Sequence, residues 1–171
     1  EFYDLTREID PVARRQATII LDDLIGRRLG AIPSICEVGS GTGLVSLPLS
    51  RLGYQATCVD LSLQMLLKLR GKVSAGDRVA VVRADGRALP FSDECFDAVL
   101  ASQVLHVVPK WRELLAECAR VTKLRGGRVI VDLANEPDTG WGGLPAEVVD
   151  MFWDSVGSRM RPIGASVWDD G

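Results

Sequence analysis

The chain has 171 residues, 47% of them hydrophobic and 25% charged, with a formal net charge of −3. That is enough chain to bury a sizeable core in one domain without a disulfide framework or a structural metal, and the composition excludes collagen-like, disordered and disulfide-rich classes. The acidic balance argues against a partner held through its phosphate backbone, which needs clustered Lys and Arg.

In chain order, Asp10 and Pro11 read as an N-cap ahead of a proline at the first helical position. Ile19, Ile20, Leu21, Leu24, Ile25 and Leu29 follow at mostly helical spacing, and Gly30 closes that helix. The run S-I-C-E-V-G from Ser34 is a buried strand, broken by glycines at 39, 41 and 43. A helix follows from Leu44 to Leu52, with Pro48 early enough to be tolerated or to bend it slightly. Tyr54 to Asp60 is a second strand, and Ser62 caps a Leu- and Met-rich helix running to about Lys72. Further strands are expected over Arg78–Ala84, Phe96–Ser102 and Gly127–Leu133. A helix from Lys110 to Lys123 joins the last two, its apolar face built from Leu114, Leu115, Ala119 and Val121. Beyond Leu133 the chain reads as a loop, one helix near Pro145 to Arg159 and a polar tail.

Strands alternating with helices predict an α/β architecture, a Rossmann-like doubly wound parallel sheet with helices on both faces. Ligands of such sheets sit beyond the carboxyl ends of the strands, where the strand order reverses. The site is therefore expected among residues 37–43, 60–62, 85–89 and 102–106. Cys36, Cys58, Cys95 and Cys118 form no C-x-x-C pair, and with one histidine in the chain no zinc site is expected. Reduced, buried thiols in a cytoplasmic protein are the expectation. No apolar run approaches the roughly 18 residues of a membrane span.

The first strand ends E-V-G-S-G-T-G (37–43), a glycine turn into a helix that lets a ligand approach backbone amides. A dinucleotide fingerprint needs glycine where Leu44 stands, which disfavours an NAD-dependent oxidoreductase, and no Gly-Lys pair marks a P-loop. Asp60 ends the second strand, placed to accept both hydroxyls of a ribose, and Asp85, before Gly86, ends the third. Glu37 lies inside the first strand, an expensive place for an acid without a partner. Three carboxylates around one loop suit a ligand carrying positive charge better than a pyrophosphate. S-adenosylmethionine, with its ammonium, sulfonium, ribose and adenine, fits that constellation.

At these residues the sequence resembles the class I S-adenosylmethionine-dependent methyltransferases, in the small-molecule branch of ubiquinone and menaquinone methyltransferases. The resemblance rests on E-V-G-S-G-T-G, C-V-D-L-S (58–62), A-D-G-R-A-L-P-F (84–91), F-D-A-V-L-A-S-Q-V-L-H-V-V (96–108) and L-R-G-G-R-V-I-V (124–131), in that order. It implies that Glu37, Gly39, Ser40 and Gly41 form the loop around the methionine end and that Asp60 is the ribose acid. It further implies that Leu61 flanks the adenine, that Asp85 and Gly86 contact it, and that Ser102 or Gln103 reaches the cofactor by backbone. Tyr3 matches an aromatic that lids the methionine end, and Trp141 lies where family members wall the acceptor pocket. No metal is implied.

Plainer readings stand beside these. Asp60 and Asp85 are also ordinary turn or helix caps, and Glu37 could sit in a buried ion pair. The single histidine, His106, is a weak candidate base in an apolar segment. Methyl transfer to a small organic acceptor is an in-line displacement that needs alignment and exclusion of water more than a dedicated base. The alternative is a non-catalytic cofactor-binding or scaffolding domain of the same fold. A nucleic-acid acceptor is disfavoured, since A-S-Q-V follows the fourth strand and the charge is acidic.

The expected organisation is one methyltransferase domain with a helical lid (1–30), a cofactor-binding core (31–133) and an acceptor-side loop and helix (134–171). Too little chain follows Leu133 for the family's usual C-terminal antiparallel hairpin, and the sequence opens on Glu1 rather than Met. A chain incomplete at its C-terminus is the expectation.

Overall fold

The computed structural model describes residues 11–26 and 32–132, all within one compact unit, Glu1–Leu133. Tyr3, Trp141 and the expected helix near Pro145 lie outside the described residues. Five strands form one parallel sheet: β1 (Ser34–Val38), β2 (Gln55–Asp60), β3 (Val79–Arg83), β4 (Ala98–Ser102) and β5 (Arg128–Asp132). Their order is β3-β2-β1-β4-β5, so the chain steps outward from β1 to β3 and then returns to the other side of β1. Central β1 and β4 are buried almost end to end, which is why both read as continuous apolar runs. β3 lies at an edge and is only partly buried.

Four helices cover the sheet: α1 (Pro11–Ile25), α2 (Ser46–Arg51), α3 (Leu63–Lys72) and α4 (Trp111–Val121). Side chains alternate across a strand, so Ile35 and Glu37 face one side of β1 and Cys36 and Val38 the other. On the first side Ile25, Leu49 and Tyr54 pack with Ile35, Ala56, Ala98 and Leu100. On the second side Leu114 of α4 lies against Gly86, which also touches Val38.

Helix ends follow local chemistry, and some differ from the sequence reading. α1 stops at Ile25 rather than reaching Gly30, because Gly26 takes a left-handed φ of +69° and returns its amide to the Asp22 carbonyl at 3.1 Å. Its inward stripe runs through Leu21 and Ile25, and Asp22 on that stripe accepts the hydroxyl of fully buried Tyr54 at 2.6 Å. Ile19 and Ile20 fall off the stripe and are exposed. Pro48 sits in the first turn of α2, where no helical hydrogen bond needs its missing N–H. Ser62 caps α3 by accepting the Met65 amide. In α4 the buried stripe is Leu114, Leu115, Cys118 and Val121, and Cys118 takes the place expected for Ala119, which is exposed.

The β3–β4 connection has no helix. It runs along α4, fastened by one guanidinium: Arg120 donates to Glu117, Asp93 and the carbonyls of Leu89 and Phe91, while Glu117 accepts the Leu89 amide. Cys36, Cys58 and Cys118 are buried and Cys95 is half-buried, all as free thiols. Burial pushes the Cys58 and Cys118 thiols up to about 12 and Cys36 higher still, so none of the three ionises near neutrality.

Candidate functional site

The glycine turn follows β1, next to the point where strand order reverses between β1 and β4. Gly39, Gly41 and Gly43 all have positive φ, but their surroundings differ. A methyl on Gly39 would lie 2.5 Å from Val104 Cγ2, so the turn is pressed onto the exit of β4. A methyl on Gly43 would overlap Leu69 of α3. Gly41 faces open space. The first and third glycines therefore serve packing, and the middle one is the position open to a ligand.

The turn's own amides are largely engaged. Gly39 and Ser40 both donate to the Val59 carbonyl, at 2.8 and 2.9 Å, and Gly43 donates to the Ser40 carbonyl at 2.9 Å. Gly41 donates to Asp60 Oδ2 at 2.8 Å, while Asp60 Oδ1 accepts the Ser62 amide at 2.7 Å. Asp60 thus binds two backbone donors and, with about four lone-pair directions on a carboxylate, keeps acceptor capacity. Lys72 Nζ donates to the Thr42 carbonyl at 3.3 Å, which ties the turn to the last residue of α3. Ser40 is buried, and its Oγ is one of two buried side-chain polar atoms among the described residues with no partner. The other is Ser50 Oγ on α2. A buried hydroxyl without a partner beside an open glycine is the local signature of a place for a polar ligand group.

Glu37 is 3% exposed and faces α2. Its Oε2 accepts the Ser46 amide at 3.0 Å and the Ser46 hydroxyl, so the acid closes the start of α2 rather than entering a buried ion pair. Burial pushes its carboxyl up to about 7, opposed by the two Ser46 bonds and helped by the nearby Asp60 charge. Glu37 therefore supports the turn from below.

At the ends of β2 and β3, Arg83 Nε donates to the Leu61 carbonyl at 3.1 Å and holds that loop, while the Leu61 side chain stays 63% exposed. Asp85 is tied to Arg87: its Oδ1 accepts the Arg87 amide at 2.9 Å, and its Oδ2 accepts Nη2 at 2.6 Å. That pairing holds the Asp85 carboxyl down at about 2. Gly86 is enclosed, with a methyl there placed 2.6 Å from Val38 Cγ1 and 3.1 Å from Leu114 Cδ1. Ser102 ends β4, and Gln103 next to it has φ +53°, a left-handed backbone uncommon outside glycine and found disproportionately at functional sites. The backbone of His106 lies in a short 3-10 turn, Leu105–Val107, and its side chain is outside the described residues.

Gly41, Asp60 and the buried Ser40 thus gather around the glycine turn. Leu61 and Asp85 lie along the neighbouring strand ends, and Ser102 and Gln103 stand on the β4 side of the reversal. Sequence reasoning did not find Ser46, Lys72, Arg83 or Arg87, which hold these residues in place. Arg87 was the most visible of them, since D-G-R puts a guanidinium two residues from its acid. Among the described residues no group of acids, cysteines and histidines is arranged to hold a metal ion.

Comparison with known proteins gives a consistent picture. Residues 36–131, more than half of the chain, match the family described as methyltransferase domain. A demethylmenaquinone methyltransferase of Renibacterium salmoninarum is 34% identical over 142 residues, 81% of this chain and 56% of that protein. The enzyme of that name from Thermobifida fusca is 35% identical over 84% of this chain and 65% of its own length. A phosphatidylethanolamine N-methyltransferase of Cereibacter sphaeroides is 40% identical over 57% of this chain and 48% of its own length. The chain thus spans roughly half to two thirds of the curated relatives it matches. Among solved structures, a protein of Pyrococcus horikoshii superposes with TM-score 0.59 at 26% identity, covering 72% of this chain and 59% of that one. The 4+2 cyclase SpnF superposes with TM-score 0.64 at 27% identity, covering 83% and 58%.

Proposed function

The chain belongs to the methyltransferase-domain family, and from that premise we propose that it transfers a methyl group from S-adenosylmethionine to a small organic acceptor. The observation that carries this reading is the glycine turn beside the strand-order reversal, with Gly41 open, Ser40 Oγ buried without a partner, and Asp60 bonded to the turn. Ser40 and Gly41 would hold the methionine end, with Gly39 shaping the turn and Glu37 supporting it from below. Asp60 would accept the ribose, Leu61 would cover the adenine with Asp85 and Gly86 at its edge, and Ser102 and Gln103 would contribute backbone groups. Tyr3 would act as a lid.

When bound, the cofactor supplies an electrophilic methyl carbon on a sulfonium. The residues of this chain supply alignment and a site that excludes water, which together contribute several kcal/mol in well-oriented reactions. Where the attacking atom of the acceptor carries a proton, His106 is the candidate to take it. The curated relatives support an acceptor of the lipid-resident class, such as a quinone precursor or an amine-bearing lipid headgroup.

A second reading has its own support: the cyclase among the structural neighbours indicates that this fold hosts chemistry other than methyl transfer. Thermal-shift titration tests the proposal. A saturable rise in Tm with S-adenosylmethionine or S-adenosylhomocysteine, and none with NAD, is expected. A folded chain that responds to neither nucleoside would overturn it, and binding without methyl gain on any acceptor, followed by mass spectrometry, would favour the second reading.

A further inference from the structure

Helix α3 turns an unusual face outward. Leu63 and Leu67, one turn apart, are 49% and 57% exposed, and Leu61 just ahead of the helix is exposed as well. A solvated helix face of ordinary composition would carry acids among its cations. From Leu61 to Lys72 there is no Asp or Glu, and the charged residues are Lys68, Arg70 and Lys72. Lys72 reaches inward to the Thr42 carbonyl. Lys68 and Arg70 are exposed and form no ion pair with a described residue. At about 100° per residue, Leu63 and Leu67 share one stripe, with Arg70 roughly 20° from Leu63 and Lys68 roughly 100° beyond Leu67 across the outward face. Past Arg70 the surface drops into an open groove walled by Val73 at the end of α3 and by Val79 and Val81 of β3, an edge strand among the described residues.

Exposed leucines flanked by cations and free of acids match the chemistry of an anionic lipid surface. The leucines enter the headgroup boundary, and the long basic side chains meet phosphates. A second protein would bring a surface with acids of its own; nothing on this face is negative to complement its cations. The helix starts at the strand ends that carry the candidate site, so docking here would bring that site to the bilayer surface. We infer that the outer face of α3, through Leu63, Leu67, Lys68 and Arg70, docks on anionic membrane surfaces and presents the site to a lipid-resident acceptor. The acceptor part of this inference rests on the function proposed above; the docking part does not.

The test uses the full chain and vesicles of phosphatidylcholine alone or with about three parts in ten of phosphatidylglycerol. Co-sedimentation is expected with the mixed vesicles, weakening as salt rises, and much less with phosphatidylcholine. Leu63→Gln with Leu67→Gln should lower partitioning at least tenfold, and Lys68→Gln with Arg70→Gln should cost roughly fivefold per cation at low salt. Circular dichroism should be unchanged in both variants. Equal sedimentation of wild type and variants, or none by the wild type, overturns the inference. So does a wild-type dimer in sedimentation velocity that the leucine variant abolishes, since a second copy would then cover the face. Calorimetric titration with S-adenosylhomocysteine separates the two proposals. Nucleoside binding without vesicle binding defeats docking alone, and vesicle binding without nucleoside binding defeats the proposed function alone.

Discussion

Asp60 Oδ2 accepts the Gly41 amide at 2.8 Å, so the acid at the end of β2 holds the glycine turn at the end of β1. With Ser62 bound to the other oxygen at 2.7 Å, one carboxylate sets the relative position of two strand-end loops. Removing it should therefore act twice. Asp60→Ala leaves the part-buried Gly41 amide without its acceptor and the exposed Ser62 amide to water, a loss of about 1 kcal/mol in stability, and should weaken S-adenosylhomocysteine binding at least tenfold. Asp60→Asn, which keeps one acceptor oxygen, should fall between. Calorimetry and thermal melts on the two variants check this, and an Asp60→Ala chain with wild-type nucleoside affinity would remove the ribose assignment.

Glu37 predicts a pH dependence of stability. Its carboxyl sits at about 7 in the folded chain, above its ordinary value near 4.5. Between those values the unfolded chain binds fewer protons than the folded one, so stability falls as pH rises through that window and levels off above it. The loss is at most about 3 kcal/mol. Glu37→Gln keeps an oxygen for the Ser46 amide and removes the titration. Denaturation at pH 4.5 and pH 8 should find the variant near wild type at the lower pH and more stable at the higher. A variant less stable than wild type at pH 8 would mean that the ionised acid, bonded to Ser46, stabilises the fold on balance.

Much of this architecture is legible along the chain, because the signals involved are local. The buried strands announce themselves as β-branched runs, and glycines after β1 with acids after β2 and β3 mark the ends where a site is expected. The partners of those acids are less legible. Glu37 meets Ser46 only because β1 and α2 pack face to face, and nothing in E-V-G-S-G-T-G says which way the carboxylate turns. The three glycines look alike in sequence, yet Val104 and Leu69 decide which two are packing positions. The end of α1 departs from the sequence expectation for a simpler reason. Gly26 and Gly30 are both acceptable stops, and the φ of +69° at Gly26 closes the helix first.

Arg120 is the least local of these features, with acceptors as far as 31 residues away at Leu89. Its fork is satisfied by Glu117, Asp93 and two carbonyls of the β3–β4 connection, a geometry that an ammonium does not reproduce. Arg120→Lys is expected to speed hydrogen exchange at the Leu89 amide and proteolysis within residues 89–94, and Arg120→Ala to do so further, each with a lower Tm. Exchange mass spectrometry reads both, and protection in the alanine variant equal to wild type would show that the connection is held by its other contacts.

Gly86 carries two readings that one set of variants separates. The family resemblance makes it an adenine contact, whereas the packing makes it a spacer between β1 and α4. A methyl there would meet Val38 Cγ1 at 2.6 Å, closer than real side chains come, and Leu114 Cδ1 at a tight 3.1 Å. Gly86→Ala should therefore destabilise by roughly 1–3 kcal/mol through overpacking. Val38→Ala alone should also destabilise, by opening space in the core. If packing governs, the double variant should be more stable than the two single losses predict, because losing Val38 Cγ1 makes room for the added methyl. If contact with the nucleoside governs, stabilities should add and S-adenosylhomocysteine affinity should stay reduced in the double variant. Denaturation gives the coupling and calorimetry the affinity, so the two roles are read on separate axes.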